Sequence, residues 1–344
     1  MGDIEILDCT LRDGGHVNNA EFGYENILSI EKALAESNVD IIELGFLRNG
    51  KFTKDQSNYN NIEEVRENIK HINRRRKYSL MIRPDWYDIN QLSTCSGDIQ
   101  LIRFAFYFKD LDLTKKYCHI VRELGYDFTF NPVNIMSYNM DDLEIVLKTA
   151  NELNPYVVNI VDTFGSIQTS DLDRIYDMYE KILNPNIRIG LHLHENMSSS
   201  FMLMQHFLNI KNPSRKSIID GSLLGMGRIP GNLPIEMLLD YINTYYDGDY
   251  NLNPILDIIS KVIEKEKKKR EWGYHPAYYF TGKYLIHRSY AEYYIDKHKE
   301  LTYADLLGIF EMIKNSEEKL SFSSEKAEKY IINYLEKKNE KKSC

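Results

Sequence analysis

The chain has 344 residues, of which 43% are hydrophobic and 27% are charged, and its formal net charge at pH 7 is −8. These proportions are typical of a globular protein that buries a full core, and the acidic balance argues against a general nucleic-acid-binding role. No uninterrupted apolar run is long enough to span a bilayer. The N-terminus leads directly into a strand, and the cysteines lack zinc-like spacing. We therefore expect a cytoplasmic protein with reduced thiols and no membrane association.

Strand-like and helix-like segments alternate through the first 245 residues. The eight predicted strands lie at residues 4–7, 39–46, 78–83, 100–106, 127–136, 156–162, 187–194 and 217–224. Apolar residues at helical spacing predict helices at residues 24–37, 60–74, 113–125, 141–153, 171–183, 197–208 and 233–245. Eight strands alternating with helices over about 250 residues predict a (β/α)₈ TIM barrel. An open doubly wound sheet is the alternative, but the turn after the first strand is not its usual glycine-rich nucleotide turn.

The alternation stops after residue 253. Helical patterns at residues 255–270, 278–295, 303–314 and 324–338 predict a small all-helical domain. We therefore place the barrel domain at residues 1–248 and the C-terminal helical domain at residues 249–344. The Lys- and Glu-rich tail over residues 337–344 is expected to be solvated or disordered.

Four ionisable side chains crowd the end of the first predicted strand. Asp8, Arg12, Asp13 and His16 lie within nine residues, in a turn that also contains two glycines. Burying so much charge is costly unless the groups are paired or hold a metal ion. The stretch therefore predicts a functional site; a capped strand-to-helix turn with an internal Arg–Asp ion pair is the alternative.

His192 and His194 lie two residues apart on the seventh predicted strand, so both imidazoles project to one side. Reactive groups of a TIM barrel lie at the carboxyl ends of its strands, and only one strand separates the first from the seventh. Together with Asp13, the two imidazoles can hold a divalent cation with open positions for substrate. Two buried, hydrogen-bonded histidines are the alternative. Other predicted strands carry polar residues near their carboxyl ends, namely Glu43, Arg83, Arg103, Asn134, Ser137, Asp162, Thr163 and Asn196.

Three motifs in this order resemble the DRE-TIM metallolyases, the HMG-CoA-lyase-like superfamily. They are the Arg-Asp-Gly turn at residues 12–14, the His-Leu-His of residues 192–194, and Gly231-Asn232 after the eighth strand. The resemblance covers residues 3–240 and implies a TIM barrel.

Within that superfamily the sequence is most similar to the 4-hydroxy-2-oxovalerate aldolases. The similarity lies in Thr-Leu-Arg-Asp-Gly-Gly-His at residues 10–16, in His-Leu-His-Glu-Asn-Met-Ser at residues 192–198, and in the glycine-rich segment 225–236. Gly273-Tyr274 resembles a Gly-Tyr segment whose tyrosine reaches into the aldolase active site, although simple packing of Tyr274 is the alternative. HMG-CoA lyases carry a cysteine after the eighth strand, and residues 225–232 contain none.

The resemblance implies a divalent-metal-dependent class II aldolase, a carbon–carbon lyase. It would cleave or form a 4-hydroxy-2-oxo acid from pyruvate, or a related 2-oxo acid, and an aldehyde. The implied ligands of Mn²⁺ or Mg²⁺ are Asp13, His192 and His194, with Asn232 as a further candidate. The implied catalytic residues are Arg12, which stabilises the oxyanion, His16, which acts as the base, and Tyr274. Substrate-carboxylate binding is expected at Arg12, Thr163 and Arg83.

Two other functions stay open at this point. An acetyl-CoA-dependent Claisen synthase, of the isopropylmalate or homocitrate synthase type, would keep the metal and Arg12 but would not need His16. A non-catalytic barrel scaffold would not need the metal ligands. The resemblance also implies two possible partners, a second copy of this chain in a homo-oligomer and an aldehyde dehydrogenase. The Lys/Glu-rich tail argues against the dehydrogenase partner.

Overall fold

The computed structural model describes residues 4–69, 73 and 75–342. Its strands are β1 (Ile4–Asp8), β2 (Ile41–Leu47), β3 (Asn58–Tyr59), β4 (Lys77–Ile82), β5 (Leu101–Phe106), β6 (Asp127–Pro132), β7 (Val157–Asp162), β8 (Arg188–Leu193) and β9 (Ser217–Gly221). All pairings between them are parallel, in the order β1-β9-β8-β7-β6-β5-β4-β2-β3. Because β1 also pairs with β2, the eight longer strands close into a barrel. The predicted (β/α)₈ TIM barrel is confirmed, and β3 is an extra short strand that was not predicted.

Helices surround this barrel and continue beyond it. The first nine are α1 (Thr10–Asp13), α2 (Gly15–Asn18), α3 (Tyr24–Glu36), α4 (Ile62–Asn68), α5 (Leu111–Glu123), α6 (Met140–Leu153), α7 (Thr169–Ile182), α8 (Ser200–Ile210) and α9 (Ile235–Tyr245). The remainder are α10 (Leu252–Ile258), α11 (Glu264–Lys269), α12 (Pro276–Lys283), α13 (Ser289–Lys297), α14 (Tyr303–Ile313) and α15 (Ser324–Lys342). A π-helical turn, Ile259–Ile263, joins α10 to α11. None of the helices in the described ranges is long and apolar enough to cross a membrane.

The barrel strands are buried on both faces, and their sequences are therefore nearly continuous apolar runs. Every residue of β2, β5 and β7 is buried. The carboxyl end of β1 leads into a tight turn because Asp8 accepts hydrogen bonds from the backbone N–H and the hydroxyl of Thr10, both at 2.8 Å. The helical turn α1 then carries the next polar side chains over the barrel mouth.

The C-terminal region differs from the prediction in one helix. The single helix expected at residues 278–295 is split into α12 and α13, since Leu285 adopts a left-handed φ of 54° that no α-helix contains. The tail over residues 337–344, expected to be solvated or disordered, is helical as far as Lys342, and residues 337–340 are mostly exposed, as a solvated segment is. Residues 343–344, and 70–72 and 74 of the helix expected at 60–74, lie outside the described ranges. A domain boundary at residue 248 stays a prediction; it falls between α9 and α10.

Candidate active site

Three side chains from the carboxyl ends of β1 and β8 meet at the barrel mouth. Asp13, His192 and His194 are all buried, and one donor atom from each lies within 4.8 Å of the others. Asp13 ends α1, His192 lies in β8, and His194 follows the last residue of that strand. The structure thus brings together the three residues that the resemblance implies as metal ligands.

Both histidine rings are oriented through their Nδ1 atoms. Nδ1 of His192 lies 3.0 Å from Oδ2 of Asp220, and Nδ1 of His194 lies 2.9 Å from the carbonyl oxygen of Asp162. A carbonyl only accepts hydrogen bonds, so Nδ1 of His194 carries a proton, and Nε2 of the neutral form offers its lone pair to a cation. Burial lowers the pKa of His192, although Asp220 acts to raise it. Both rings are therefore held through Nδ1, the arrangement typical of metal-binding histidines.

The Nε2 atom of His194 is buried and has no hydrogen-bond partner among the described residues. It lies 3.6 Å from Oδ2 of Asp13. A buried polar atom without a hydrogen-bond partner costs free energy, which a bound cation between these atoms would recover. One carboxylate and two imidazoles suit a divalent ion with open positions for a substrate. These residues therefore fit the ion that the resemblance implies.

Asp13 is kept ionised by its neighbours. Its Oδ1 accepts a hydrogen bond from Nη1 of Arg12 at 2.5 Å, and its Oδ2 accepts one from the backbone N–H of Arg228 at 3.0 Å. Burial acts to raise the pKa of this carboxyl, but Arg12 and His194 outweigh it and hold the pKa well below its ordinary value. The carboxylate is thus the charged form that a cation needs.

A buried ionic network lies beneath the three side chains, inside the barrel. Glu43 Oε2 accepts from Nε of Arg12 at 2.8 Å and from Nη1 of Arg103 at 2.9 Å. Arg103 also donates through Nη2 to Oδ2 of Asp220 at 2.5 Å, and Asp220 in turn contacts His192. Charges buried this deeply are tolerated only when they are paired. The network therefore connects Arg12 to His192 through alternating cations and anions.

Asn232 lies beside the three candidate ligands but outside the cavity lining. Its backbone forms an isolated bridge with His194, and its Oδ1 is buried without a hydrogen-bond partner in the described part of the chain. A Cβ atom on Gly227 would lie 2.3 Å from Nδ2 of Asn232 and 2.7 Å from Oδ2 of Asp13. Both side chains are therefore packed against the bare backbone of this glycine. Whether Asn232 is a further ligand stays a prediction.

A cavity of about 270 Å³, which we call the metal cavity, opens above the cluster. Arg12, His16 and both metal-site histidines line it. Nε2 of His16 lies 3.9 Å from Oδ1 of Asp13, and about a third of the His16 side chain is exposed. Burial lowers the pKa of His16, with Asp13 opposing the shift, so the ring is neutral and can accept a proton.

Thr163 and Arg83, the predicted carboxylate-binding residues, also line the metal cavity. The Thr163 hydroxyl accepts a hydrogen bond from the backbone N–H of Asn134 at 2.6 Å, so its own proton is free to be donated. Arg83 makes a bidentate ion pair with Asp85, at 3.0 and 2.6 Å, and stacks on Trp86 with its guanidinium carbon 4.0 Å from the ring centroid. The structure thus places both residues in the wall of the metal cavity, and their binding of the substrate carboxylate stays a prediction.

Tyr274 is the one predicted catalytic residue that the structure leaves at the surface. Its side chain is 65% exposed, and it is not among the residues that line the metal cavity. It follows Gly273, whose φ of 119° directs the chain out of α11 toward α12. A catalytic role for Tyr274 therefore stays a prediction.

The sequence did not indicate that three residues of the cavity wall belong to the site. His287 and Arg288 fall inside the segment predicted as one helix, and Arg228 falls in the glycine-rich segment without an assigned role. The break between α12 and α13 is what turns His287 and Arg288 toward the metal cavity. Burial and the nearby Arg288 lower the pKa of Arg228 to about 10. Asp220 was also missed, and its only sequence signal is one acidic residue in an apolar strand.

Comparison with known proteins agrees with this geometry. Residues 108–262 match the family model described as HMGL-like. The chain is 26% identical over 273 residues to a 4-hydroxy-2-oxovalerate aldolase from Geobacillus genomosp. 3, covering 76% of this chain and 77% of the relative. It is 25% identical over 265 residues to the enzyme of that name from Thermus thermophilus, covering 74% of this chain and 71% of the relative.

Solved structures show the same fold at low sequence identity. The N-terminal domain of a candidate aldolase from Bacteroides vulgatus superposes with a TM-score of 0.73 at 22% identity, covering 86% of this chain and 98% of that domain. An HMG-CoA lyase from Bacillus subtilis superposes with a TM-score of 0.62 at 14% identity, covering 77% of this chain and 93% of that enzyme. The barrel architecture is therefore shared with both.

Proposed function

We propose that this protein is a divalent-metal-dependent class II aldolase, a proposal supported by the match of residues 108–262 to the HMGL-like family model. It cleaves or forms a 4-hydroxy-2-oxo acid, with pyruvate or a related 2-oxo acid and an aldehyde as the two halves. The observation that carries the proposal is the buried cluster of Asp13, His192 and His194, with the unpaired Nε2 of His194 facing the carboxylate. The relatives named 4-hydroxy-2-oxovalerate aldolase support the choice of reaction.

The metal would be held by Asp13, His192 and His194, with Asn232 as a further ligand. A bound Mn²⁺ or Mg²⁺ ion supplies positive charge that polarises the 2-oxo group. Asp220 holds the His192 ring in place through Nδ1, and the Asp162 carbonyl does the same for His194.

Arg12 stabilises negative charge that develops on the 2-oxo acid when the carbon–carbon bond breaks. Its side chain lines the metal cavity and is fixed by ion pairs to Asp13 and Glu43. A cation that is already in position needs no reorganisation during the reaction, and one such group is typically worth about 3 kcal/mol. Thr163 and Arg83, which line the same cavity, are proposed to bind the substrate carboxylate.

His16 removes the proton from the 4-hydroxyl group in cleavage and returns it in the reverse reaction. The ring is neutral and borders the metal cavity, which are the two properties a general base needs here. Such assistance contributes roughly 10²–10⁴-fold. Tyr274 would reach the substrate only if its segment moved over the cavity, and we retain it as a candidate on the resemblance alone.

The test is pyruvate release from a panel of 4-hydroxy-2-oxo acids, after chelation of metals and with Mn²⁺ or Mg²⁺ added back. We expect metal-dependent release that falls by at least about 100-fold in His16→Ala. The matched control is His119→Ala, an exposed histidine of α5 remote from the site in sequence and fold. Binding of Mn²⁺ should be unaffected in both variants.

No pyruvate from any substrate, despite bound Mn²⁺, would contradict the proposal. Release of thiol from acetyl-CoA in the presence of a 2-oxo acid would then identify a Claisen synthase, and absence of metal binding would identify a scaffold. A cytoplasmic location, a homo-oligomer and an aldehyde dehydrogenase partner stay predictions that fractionation, sedimentation and co-purification can test.

A further inference from the structure

A second cavity adjoins the metal cavity on the side of His16. It has a volume of about 620 Å³, and we call it the annex. Five residues line both cavities, so the two are continuous there: Arg12, His16, Phe46, Trp86 and Arg288. If His16 takes the proton of the 4-hydroxyl group, the substrate atoms beyond that carbon enter the annex. The annex therefore faces the aldehyde half of the substrate.

The annex is strongly cationic. Its lining includes Arg48, Lys51, Arg270 and Arg288, and Glu292 is the one acidic residue that lines it among the described residues. Glu292 pairs with Arg270 and lies 3.3 Å from Nη1 of Arg288, so it is already shared between two cations. The positive charge in the annex is thus in excess over the negative charge.

One cation of the annex, Arg288, is buried with unsatisfied hydrogen-bond donors, whereas Arg48 and Lys51 are exposed to solvent and carry charge that no carboxylate of the described residues pairs with. Nε and Nη1 of Arg288 are buried without a hydrogen-bond partner in the described part of the chain, and only 15% of its side chain is exposed. No carboxylate of the described residues lies within ion-pairing distance of Arg48 or Lys51, and Arg48 stacks on Trp86 with its guanidinium carbon 5.5 Å from the ring centroid. Arg228, in the adjoining wall, also has no ion pair in the described ranges.

A buried guanidinium with unsatisfied donors, such as that of Arg288, disfavours the folded state unless an anion pairs with it, and the exposed charges of Arg48 and Lys51 add attraction for that anion. A guanidinium presents its donors in a planar fork that matches the oxygens of a phosphate, and such charge-assisted bonds are stronger than neutral ones. A dianion also offsets more of the excess charge than a single carboxylate does. The amide side chains of Asn19 and Asn58, which also line the annex, suit hydroxyl groups beside the anion.

We propose that the aldehyde half of the substrate is a phosphorylated hydroxyaldehyde, with its phosphate bound in the annex by Arg48 and Arg288. This inference rests on the proposed aldolase function and names the substrate class that the cavity selects. Lys51 and Arg228 contribute longer-range attraction to the same group.

The first experiment compares aldehydes in the condensation with pyruvate in the presence of Mn²⁺. The panel is propanal, glyceraldehyde, glyceraldehyde 3-phosphate and succinic semialdehyde. We expect kcat/KM for glyceraldehyde 3-phosphate to exceed that for glyceraldehyde by about 10–100-fold, the range for one or two charge-assisted hydrogen bonds. A preference for succinic semialdehyde would overturn the assignment of phosphate in favour of a carboxylate.

Three variants test the residues. Arg48→Gln and Arg288→Gln should each lower kcat/KM for glyceraldehyde 3-phosphate at least tenfold more than they lower it for propanal, mainly through KM. Arg288→Lys should recover part of the loss, because it keeps the charge. The matched control is Arg174→Gln, an arginine of α7 that is 51% exposed and lines neither cavity. Equal losses for both aldehydes would contradict the proposal.

A binding experiment separates this inference from the proposed function. Calorimetry of the Mn²⁺-loaded protein with glycerol 3-phosphate needs no turnover, and glycerol is its neutral control. We expect binding of the phosphate only, weakened at least tenfold in both glutamine variants. Binding without aldolase activity would support the annex and overturn the proposed function. Aldolase activity with propanal, without any binding of glycerol 3-phosphate, would overturn the annex and leave the function standing.

Discussion

Arg103 donates a hydrogen bond through Nη2 to Oδ2 of Asp220 at 2.5 Å, and that same oxygen lies 3.0 Å from Nδ1 of His192. Arg103 and Asp220 are 117 positions apart in the chain and meet inside the closed barrel. Asp220 is therefore the junction between the buried ionic network and a candidate metal ligand. Its carboxylate orients His192 and keeps the Arg103 charge paired.

Asp220→Asn should weaken Mn²⁺ binding and unfolding stability together. The amide is uncharged, so Arg103 loses an ion pair and His192 loses the charge that orients its ring. Loss of such an outer partner typically costs about 10–100-fold in metal affinity. Removing one member of a buried ion pair costs about 3 kcal/mol or more. Calorimetric titration with Mn²⁺ and urea unfolding of the metal-free protein measure the two effects separately; unchanged metal affinity would show that Asp220 does not position the ligand.

Glu43→Gln should affect turnover more than metal binding. Glu43 Oε2 accepts from both Arg12 and Arg103, and it contacts none of the three candidate ligands. With a neutral amide there, Arg12 is no longer held in place beside the substrate. We expect kcat to fall by about tenfold or more, since a misplaced cation loses much of its roughly 3 kcal/mol effect. Steady-state kinetics with the preferred 4-hydroxy-2-oxo acid and Mn²⁺ titration make the comparison; an equal loss in both would contradict the assigned role.

Gly227→Ala should disrupt the metal site by steric contact alone. The added Cβ would lie 2.7 Å from Oδ2 of Asp13 and 2.3 Å from Nδ2 of Asn232, so both side chains must shift. We expect Mn²⁺ affinity, measured by calorimetric titration, to fall by about tenfold or more, as for a displaced supporting group. Gly50→Ala is the control, because a methyl group added there would meet no atom within 4 Å. Retained affinity in the first variant would show that the ligands tolerate displacement.

His298 should make unfolding stability depend on pH, away from the metal site. Burial acts to lower its pKa, but hydrogen bonds to Glu328 at 2.8 Å and Glu300 at 3.0 Å outweigh this and raise the pKa above its ordinary value. A raised folded-state pKa contributes stability that is complete below the unfolded pKa of about 6.5 and is lost as the pH rises through the folded value. His298→Gln should therefore destabilise by up to about 1 kcal/mol at pH 5.5 and by much less at pH 8.5.

Urea unfolding of the metal-free protein at these two pH values measures that difference. His119→Gln is the matched control, since His119 is an exposed histidine on the outer face of α5. A larger effect of His298→Gln at pH 8.5 than at pH 5.5 would contradict the assigned linkage.

The barrel and the three clustered side chains could be predicted from local patterns. Short apolar runs predicted each of the eight strands, because a strand buried on both faces consists almost entirely of apolar residues. Apolar residues at helical spacing predicted the helices between them. The two-residue spacing of His192 and His194 predicted their common direction, and a closed barrel brings Asp13 next to them. Each of these inferences needs only short-range backbone geometry and one rule of topology.

The residues that surround that cluster could be identified only from the tertiary structure. Asp220 and Arg103 come into contact only when the barrel closes. The spacing of residues within either strand does not indicate that the two side chains form an ion pair. Arg288 reaches the cavity because α12 ends before it, whereas the sequence pattern predicted one continuous helix. Tyr274, placed at the site by resemblance, lies exposed at the surface. Local sequence determines which elements form, because periodicity acts over a few residues, whereas the pairing of charges is decided by which distant elements the folded chain brings into contact.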